Sequence, residues 1–509
     1  MRRLIKSLFG RFAIVGMSVI LHILILCLLN YYVTELWWEY QLAMQIISII
    51  VFLRIVNRDM VVESKLPWVV FILVIPVFGV VVYVVMSENR VPKKQALLYK
   101  SMYNSTQKYT QLSDIEIEYC KDAAGEYFGQ MEYLINTVKT KAYTNTETKY
   151  YPNGELFWAD LLNDLHKAQK FIFLEYFIIE RGVMWNAVED VLLQKVKQGV
   201  DVRVLYDDIG SIGKVSMRFA RKLRKLGIKC YRFSPFRPFA AARHNNRDHR
   251  KIAVIDGLVG YTGGINLADE YINVSHPYGY WKDTAIRLKG DGVNQLIINF
   301  MMMWCGVVKK QEEITPFLNQ TQFNKKDDNG IVVPYTDGPK PLYPEYIGRN
   351  AYLNLIYQAK KYLWITTPYL IMDNALETAL KSAAMRGVDV RIVTPKIPDK
   401  KTVFMITRSS YEGLQKAGVR IFEYEKGFIH AKQFLCDDVV GIIGSINLDY
   451  RSLMHHYECA VLMYKTKALI DIKADFIDTF NNSIDMDGFK QKVISKLFCG
   501  TVKIFTPLL

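Results

Sequence analysis

The chain has 509 residues, 50% of them apolar, and a formal net charge of +15. That length allows several domains and a large core, and the apolar content excludes a disordered basic tail. Basic proteins of this charge are commonly nucleic-acid binders, but long uncharged runs at the N-terminus point to a membrane instead.

Phe12 to Val33 carries no charged residue over 22 positions, and Leu66 to Met86 none over 21. Each is long enough to cross a hydrocarbon core of about 30 Å. A third run, Tyr40 to Leu53, is flanked by Glu39 and Arg54 and spans only if those side chains snorkel. Trp37, Trp38 and Trp68 occupy interfacial positions. Arg2, Arg3, Lys6 and Arg11 precede the first run as in a signal peptide. The run is too long for one, however, and no small-x-small cleavage site follows it, so it reads as an uncleaved anchor. Residues 1–86 are thus expected to hold two or three spans. The N-terminal basic cluster favours an inside N-terminus; two spans would then leave the soluble part cytoplasmic and three would place it outside. The basic loop residues Arg54, Arg58 and Lys65 keep both counts open. The seven cysteines include no C-x-x-C pair, which suggests neither a disulfide framework nor a zinc site. With the expected site of substrate supply, they favour the cytoplasmic face.

Residues 87–150 read as a linker with helical stretches. After it the sequence repeats itself. The β-rich run from Phe171 to Phe177 recurs from Tyr362 to Tyr369 at an offset of 191, and Gly199 to Val204 recurs as Gly387 to Ile392 at 188. Leu226 to Ile228 recurs as Ala417 to Val419, again at 191. Helices are predicted at Trp185 to Gln198 and Asn374 to Arg386. Strand, helix, strand, helix, strand in each half implies α/β units on a largely parallel sheet, in halves 151–325 and 326–475 sharing a cleft. Residues 476–509 form a tail, and Phe489 to Phe498 within it mixes apolar and basic residues as in an interfacial helix or ordinary core packing.

Each half carries one short phrase. His249 is followed by Lys251, Asp256, Gly263, Gly264 and Asn266; His430 is followed by Lys432, Asp437, Gly444, Ser445 and Asn447. Counted from each His, Lys falls at +2, Asp at +7, the Gly-led pair at +14 and Asn at +17. The offset here is 181, so the first half carries about ten extra residues before His249. Imidazole beside a fixed ammonium is a poor metal ligand but suits a phosphate. It can attack phosphorus or move a proton near neutral pH, while lysine neutralises phosphoryl oxygens. Asn can donate to the same oxygens, and glycine lets backbone approach closely. Asp256 and Asp437 complete the motif and stand with His249, Lys251, His430 and Lys432 as catalytic candidates, although residue type and position favour a structural turn, with Asp438 able to replace Asp437 there. His244, His455 and His456 have no counterpart in the other half.

These residues resemble the phospholipase D superfamily, whose signature is two H-x-K-x4-D motifs with a downstream G-[GS]-x-N, over roughly residues 150 to 475. The membrane runs, the stretch Asn447 to Ser452 and the terminal Pro507 to Leu509 resemble its bacterial cardiolipin synthase branch. The resemblance implies two homologous halves around one site. It implies transfer of a phosphatidyl group from phosphatidylglycerol to a histidine, and then to a second phosphatidylglycerol with release of glycerol, needing no metal or other cofactor. It also implies His249 as nucleophile and His430 as acid/base. Glu458 would orient His249, and Asp283 would orient His430. Relatives usually carry Asn two places before that Glu; here His456 stands there, which puts a local hydrogen bond in question. Partners would be phosphatidylglycerol and anionic lipids rather than nucleic acid, and the basic stretch Lys214 to Lys251 fits anionic headgroups. Oligomeric state is not readable. Water in place of the acceptor alcohol would make the same site a hydrolase, a nucleic-acid phosphodiesterase uses the same motif, and a degenerate membrane scaffold would not keep both motifs intact.

Overall fold

The computed structural model describes residues 37–86, 93–236, 245–319, 330–340 and 342–508, with short pieces between 20 and 28. The expected span Phe12 to Val33 and the residues Arg237, Arg243 and His244 lie wholly or largely outside them. The chain divides into two units: residues 1–90 with 236–245 and 497–509, and residues 91–235 with 246–496.

In the first unit, Trp37–Val56 is a continuous helix α1, and Trp38–Val56 is, among the described residues, the helix long and apolar enough to cross a membrane. The run that needed snorkelling is therefore the continuous one. Leu66 to Met86, expected as a single span, is instead broken into α2 (Val62–Val74) and α3 (Pro76–Met86). Pro76 lacks an N–H and is preset for a first helical position, so a new helix starts there. The two helices fold back on each other. Trp68 meets Tyr83 edge-on at 5.5 Å, and Phe71 meets Phe78 at 6.1 Å. A side chain on Gly79 would strike the Phe71 carbonyl, at 2.4 Å from its Cβ, so glycine permits the close approach. Ile55, Trp68, Ile72, Phe78, Val82 and Tyr83 form their shared core.

The second unit contains two sheets. The first runs β1-β8-β6-β5-β2-β3-β4. Its strands are β1 Thr146–Tyr151, β2 Phe171–Tyr176, β3 Asp201–Asp207, β4 Lys229–Phe233, β5 Lys251–Ile255, β6 Val259–Gly263 and β8 Ala285–Gly290, with β7 (Tyr280–Lys282) outside it. The second runs β19-β13-β12-β10-β15-β16-β18-β9. It is built from β9 Ile331–Asp337, β10 Tyr362–Thr366, β12 Asp389–Pro395, β13 Arg420–Tyr424, β15 Gln433–Cys436, β16 Val440–Gly444, β18 Glu458–Tyr464 and β19 Ser483–Asp485. Two further pairs stand apart, β11 (Leu370–Ile371) with β17 (Leu448–Asp449) and β14 (Gly427–Ile429) with β7.

The expected strand–helix–strand order holds at β2–β3–β4 and β10–β12–β13, where pairing is parallel, with helices Val183–Lys197 and Asn374–Met385 between strands. The sheets as a whole are mixed, not largely parallel: β2/β5, β5/β6, β6/β8 and β8/β1 are all antiparallel. A hairpin this short between β5 and β6 cannot join parallel strands. Its turn uses positive φ at Asp256 (54°) and Gly257 (72°). β1 starts before the expected boundary at 151, and β19 extends the second sheet beyond 475. The expected linker is folded into helices Lys93–Thr110, Asp114–Ala124 and Phe128–Val138; Tyr99 of the first packs in the core and donates to Met303 Sδ at 2.7 Å. In the tail the helix runs Val493–Phe505, later than the Phe489 to Phe498 pattern suggested.

Candidate active site

The two sheets meet at β6, β16, β8 and β18, the strands that follow the two motifs. Across that junction, β14 of the second half pairs with β7 of the first, placing His430 N–H on the Lys282 carbonyl at 2.7 Å. A matching bridge joins Asp248 to Tyr457, and His249 N–H donates to the Tyr457 carbonyl at 2.9 Å. Each histidine is thus fixed by backbone of the opposite half. The next residue along that backbone is, in each case, an acid.

That acid meets the ring. His249 Nδ1 lies 3.0 Å from both carboxylate oxygens of Glu458, and His430 Nδ1 lies 2.5 Å from Asp283 Oδ2. A carboxylate at Nδ1 selects the tautomer with its proton there and leaves Nε2 as the lone-pair nitrogen. Both acids are wholly buried, and the histidines nearly so. The expected cross-pairing, Glu458 with His249 and Asp283 with His430, is the one the geometry contains.

The two centres differ. Lys432 Nζ sits 2.7 Å from His430 Nδ1, so ammonium and carboxylate contend for one nitrogen. Each lysine also donates to the carbonyl of its own histidine, Lys251 to His249 at 2.5 Å, but at His249 the ring Nδ1 is left to Glu458. Burial, followed by neighbouring lysines, lowers both imidazoles: His249 falls well below its ordinary value, and His430 to about 4. Burial likewise lowers Lys251 to about 7 and Lys432 to about 8. Burial leads each shift, and two carboxylates already face the two ammonium groups, so an anion entering beside the lysines would favour their charged form.

The glycine-led pairs serve the acids. A Cβ at Gly264 would lie 2.0 Å from Asp283 Oδ1, so only glycine leaves room for that carboxylate. At the matching place Ser445 Oγ donates to Glu458 Oε2, and it accepts from Cys459 N–H at 3.0 Å. Gly263 and Gly444 are required by neighbouring strands rather than by a phosphate, since a Cβ would strike the Thr284 carbonyl at 2.5 Å or the Ala460 Cβ at 2.4 Å. Asn266 is engaged by protein: its Oδ1 accepts from Ile178 N–H at 3.0 Å and its Nδ2 donates to Tyr271 Oη at 2.7 Å. Asn447 differs, because its buried Oδ1 has no hydrogen-bond partner.

Asp256 and Asp437 are not at the reacting centre. Asp256 sits at the opposite end of β5 from Lys251, about 17 Å away at strand rise. It accepts N–H bonds from Gln169, Lys170 and Phe171 at 2.7–2.9 Å, and Asp437 accepts from Lys360, Lys361 and Tyr362 at 2.8 Å. These are structural turn residues, so their place among the catalytic candidates is corrected. Asp438 binds the Tyr362 hydroxyl and Lys473 and does not replace Asp437.

Three features escaped the sequence. Arg250, between His249 and Lys251, is 2% exposed and paired with Glu175 and Asp248, anchoring the motif strand. Arg247 pairs with buried Asp207, and Lys214 with Glu180 and Glu270, so part of the basic stretch is neutralised internally. Aromatic rings wall both imidazoles, Phe177 at 4.8 Å from His249 and Trp281 at 5.3 Å from His430. His456 is buried with both ring nitrogens unpartnered, 3.6 Å from Glu458 Oε1, so the hydrogen bond in question is not made. Burial lowers it to about 3. His249, His456 and Glu458 form the metal-capable cluster among the described residues. Lys251 and Lys432 lower His249 electrostatically, which makes the cluster a poor cation site.

The family described as cardiolipin synthase, phospholipase D-like domain, matches residues 161–301 and again 352–482, and a phospholipase D-nuclease N-terminal family matches 46–87. A cardiolipin synthase of Halalkalibacterium halodurans is 31% identical over 97% of this chain and 99% of its own length. A Geobacillus cardiolipin synthase is 33% identical over 87% and 88%. An uncharacterized protein of Streptococcus mutans is 42% identical over 90% and 99%. Among solved structures, a phosphatidylserine synthase of Haemophilus influenzae superposes with a TM-score of 0.57 at 13% identity, covering 75% of this chain and 99% of that one, which shows a shared fold.

Proposed function

We infer that this chain, which belongs to the phospholipase D-like cardiolipin synthase family, joins two phosphatidylglycerol molecules into cardiolipin and releases glycerol. The observation that carries the reading is the pair of buried imidazoles, one from each half, each backed at Nδ1 by the other half's carboxylate.

The phosphodiester anion enters between Lys251 and Lys432, favours their charged form, and raises the proton affinity of His430. His249 Nε2 attacks phosphorus; the phosphorus–oxygen bond to glycerol breaks, and His430 gives that oxygen its proton. Glu458 stabilises the developing imidazolium. The hydroxyl of a second phosphatidylglycerol then gives its proton to His430 and attacks the phosphohistidine, freeing His249. His249 is assigned the nucleophilic role because Glu458 alone faces its Nδ1, whereas Lys432 reduces the electron supply to His430. The lysines hold the phosphoryl oxygens, and Asn447 is the better placed of the two asparagines to assist. Neither a metal nor another cofactor takes part.

The protein works in the cell membrane as a multi-pass protein. Residues 1–86 form its anchor and the two halves its catalytic part, taking lipid substrates and not nucleic acid. Incubating the purified full chain with phosphatidylglycerol in detergent tests the reading. Cardiolipin plus glycerol supports it; phosphatidic acid plus glycerol makes the protein a phospholipase D, with water as acceptor.

A further inference from the structure

The membrane unit places three helix ends together. Arg58, just beyond α1, donates to Tyr83 Oη near the end of α3 at 3.5 Å. Lys65, in the second turn of α2, donates to the Val56 carbonyl at the end of α1, at 2.8 Å. The end of α1, the start of α2 and the end of α3 therefore lie at one level. The turn at Ile75 is the far tip.

Length decides what such a hairpin does in a bilayer. The 20 residues of α1 rise about 30 Å, a full hydrocarbon core, whereas the 13 of α2 and 11 of α3 rise only about 20 and 17 Å. Three backbone positions at the tip expose no donor. Pro76 has no N–H, Ile75 N–H bonds the Phe71 carbonyl at 3.0 Å, and Gly79 N–H bonds Ile75 at 2.7 Å. Irregular backbone at membrane depth is tolerated when satisfied in this way. The outer faces are apolar and unpartnered: Val62, Leu73, Val74 and Val84 are each more than 60% exposed. The chain's far end joins them, Phe505 packing on Phe71 at 5.2 Å, with Leu497 (77% exposed) and Phe498 turned outward on the same helix. Continuity with a spanning helix identifies the occupant of these faces as lipid.

Building on the membrane location proposed above, we infer that α2 and α3 form a re-entrant hairpin inserted into one leaflet, entering and leaving on the cytoplasmic face. The charges agree with that face. Arg54, Arg58 and Lys65 flank the shared level, and Arg90, Lys93 and Lys94 follow α3, while no Lys or Arg occurs from residue 12 to residue 53. With the span expected from sequence at Phe12 to Val33 and α1 as the two crossings, Arg2, Arg3, Lys6 and Arg11 fall on the same face. Every basic cluster of residues 1–94 is then inside, with Glu35 and, in the first turn of α1, Glu39 towards the outside, as lipid-embedded proteins prefer. Three crossings would put Arg90, Lys93 and Lys94 outside.

Cysteine accessibility in intact cells tests this with the full chain, after Cys27→Ser. Glu35→Cys, Asn57→Cys and Glu88→Cys are made singly and treated with a membrane-impermeant maleimide before and after permeabilisation. The expected result is outside labelling at position 35 only, with 57 and 88 labelled after permeabilisation. Labelling at 88 from outside, with 57 protected, would show that α2 and α3 cross and would overturn the hairpin alone. Recovery of the chain in the soluble fraction would overturn the membrane reading and the hairpin with it.

Discussion

Glu458→Gln removes one negative charge from a wholly buried position without changing its volume. In the native site this carboxylate accepts from His249 Nδ1 at 3.0 Å on each oxygen and from the Ser445 hydroxyl. Glutamine keeps one acceptor oxygen and turns the other into a donor, which must face either Ser445 or the imidazole. If it faces the ring, the tautomer reverses and Nε2 carries the proton, which blocks attack on phosphorus. In a Ser-His-Asp triad the equivalent carboxylate-to-amide change costs about 10⁴-fold in kcat. With one acceptor oxygen kept, a loss of about 10³-fold is expected here, about 4 kcal/mol of transition-state stabilisation. The assay is single-turnover release of radiolabelled glycerol from phosphatidylglycerol, with circular dichroism to check folding. Rates within tenfold of wild type in a folded variant would refute the orienting role of Glu458.

Gly264→Ala is expected to lower turnover at least 100-fold, because its Cβ would displace the Asp283 carboxylate from His430, 2.0 Å being well inside contact; Ser445→Ala, which adds no atoms, is expected to cost about tenfold, loss of a single hydrogen bond to a charged group. Asp256→Ala leaves three N–H groups at the start of β2 without their acceptor, so urea unfolding should register a loss of about 2–4 kcal/mol while kcat per folded molecule stays unchanged. His430 and His456, pushed down by burial to about 4 and about 3, stay neutral in the fold at pH values where the unfolded chain takes up protons. The stability they contribute is therefore full above about pH 6.5 and falls as pH drops below it, by about 1.4 kcal/mol per pH unit for each histidine. His456→Asn should make that fall in urea midpoint shallower; an unchanged slope would show that His456 is protonated in the fold.

Much of the site was legible because duplication writes its partners twice. Equal spacings single out His249 and His430 as the candidate reacting pair, and family resemblance supplies the acids Asp283 and Glu458, which the fold sets against the two rings. The turn role of Asp256 and Asp437 was legible too, since residue type and position sufficed. The ties that hold the motif strand were not. Arg250 reads as one more basic residue in a charged stretch, and only the fold brings Glu175 to it from a neighbouring strand. The service of Gly264 to Asp283 was equally hidden, since spacing cannot tell whether a glycine makes room for ligand or for a side chain. At the membrane, hydropathy records apolar length but not direction. Pro67 lies inside α2 without ending it, whereas Pro76 opens a new helix and turns the chain back, a difference fixed by the packing of Phe71, Phe78 and Gly79. Strand direction was hidden for a related reason: β2, β3 and β4 are parallel and the motif strands β5 and β6 are a hairpin, but apolar β-branched runs look alike in either direction.

The covalent intermediate tests the central assignment most directly. Full-length protein is mixed with phosphatidylglycerol, quenched within one turnover under conditions that preserve phosphohistidine, and digested for mass spectrometry. A phosphatidyl adduct on His249 is expected, accumulating in His430→Asn and absent from His249→Asn. An adduct on His430, or one that persists in His249→Asn, would contradict the assignment and reverse the roles of the two halves.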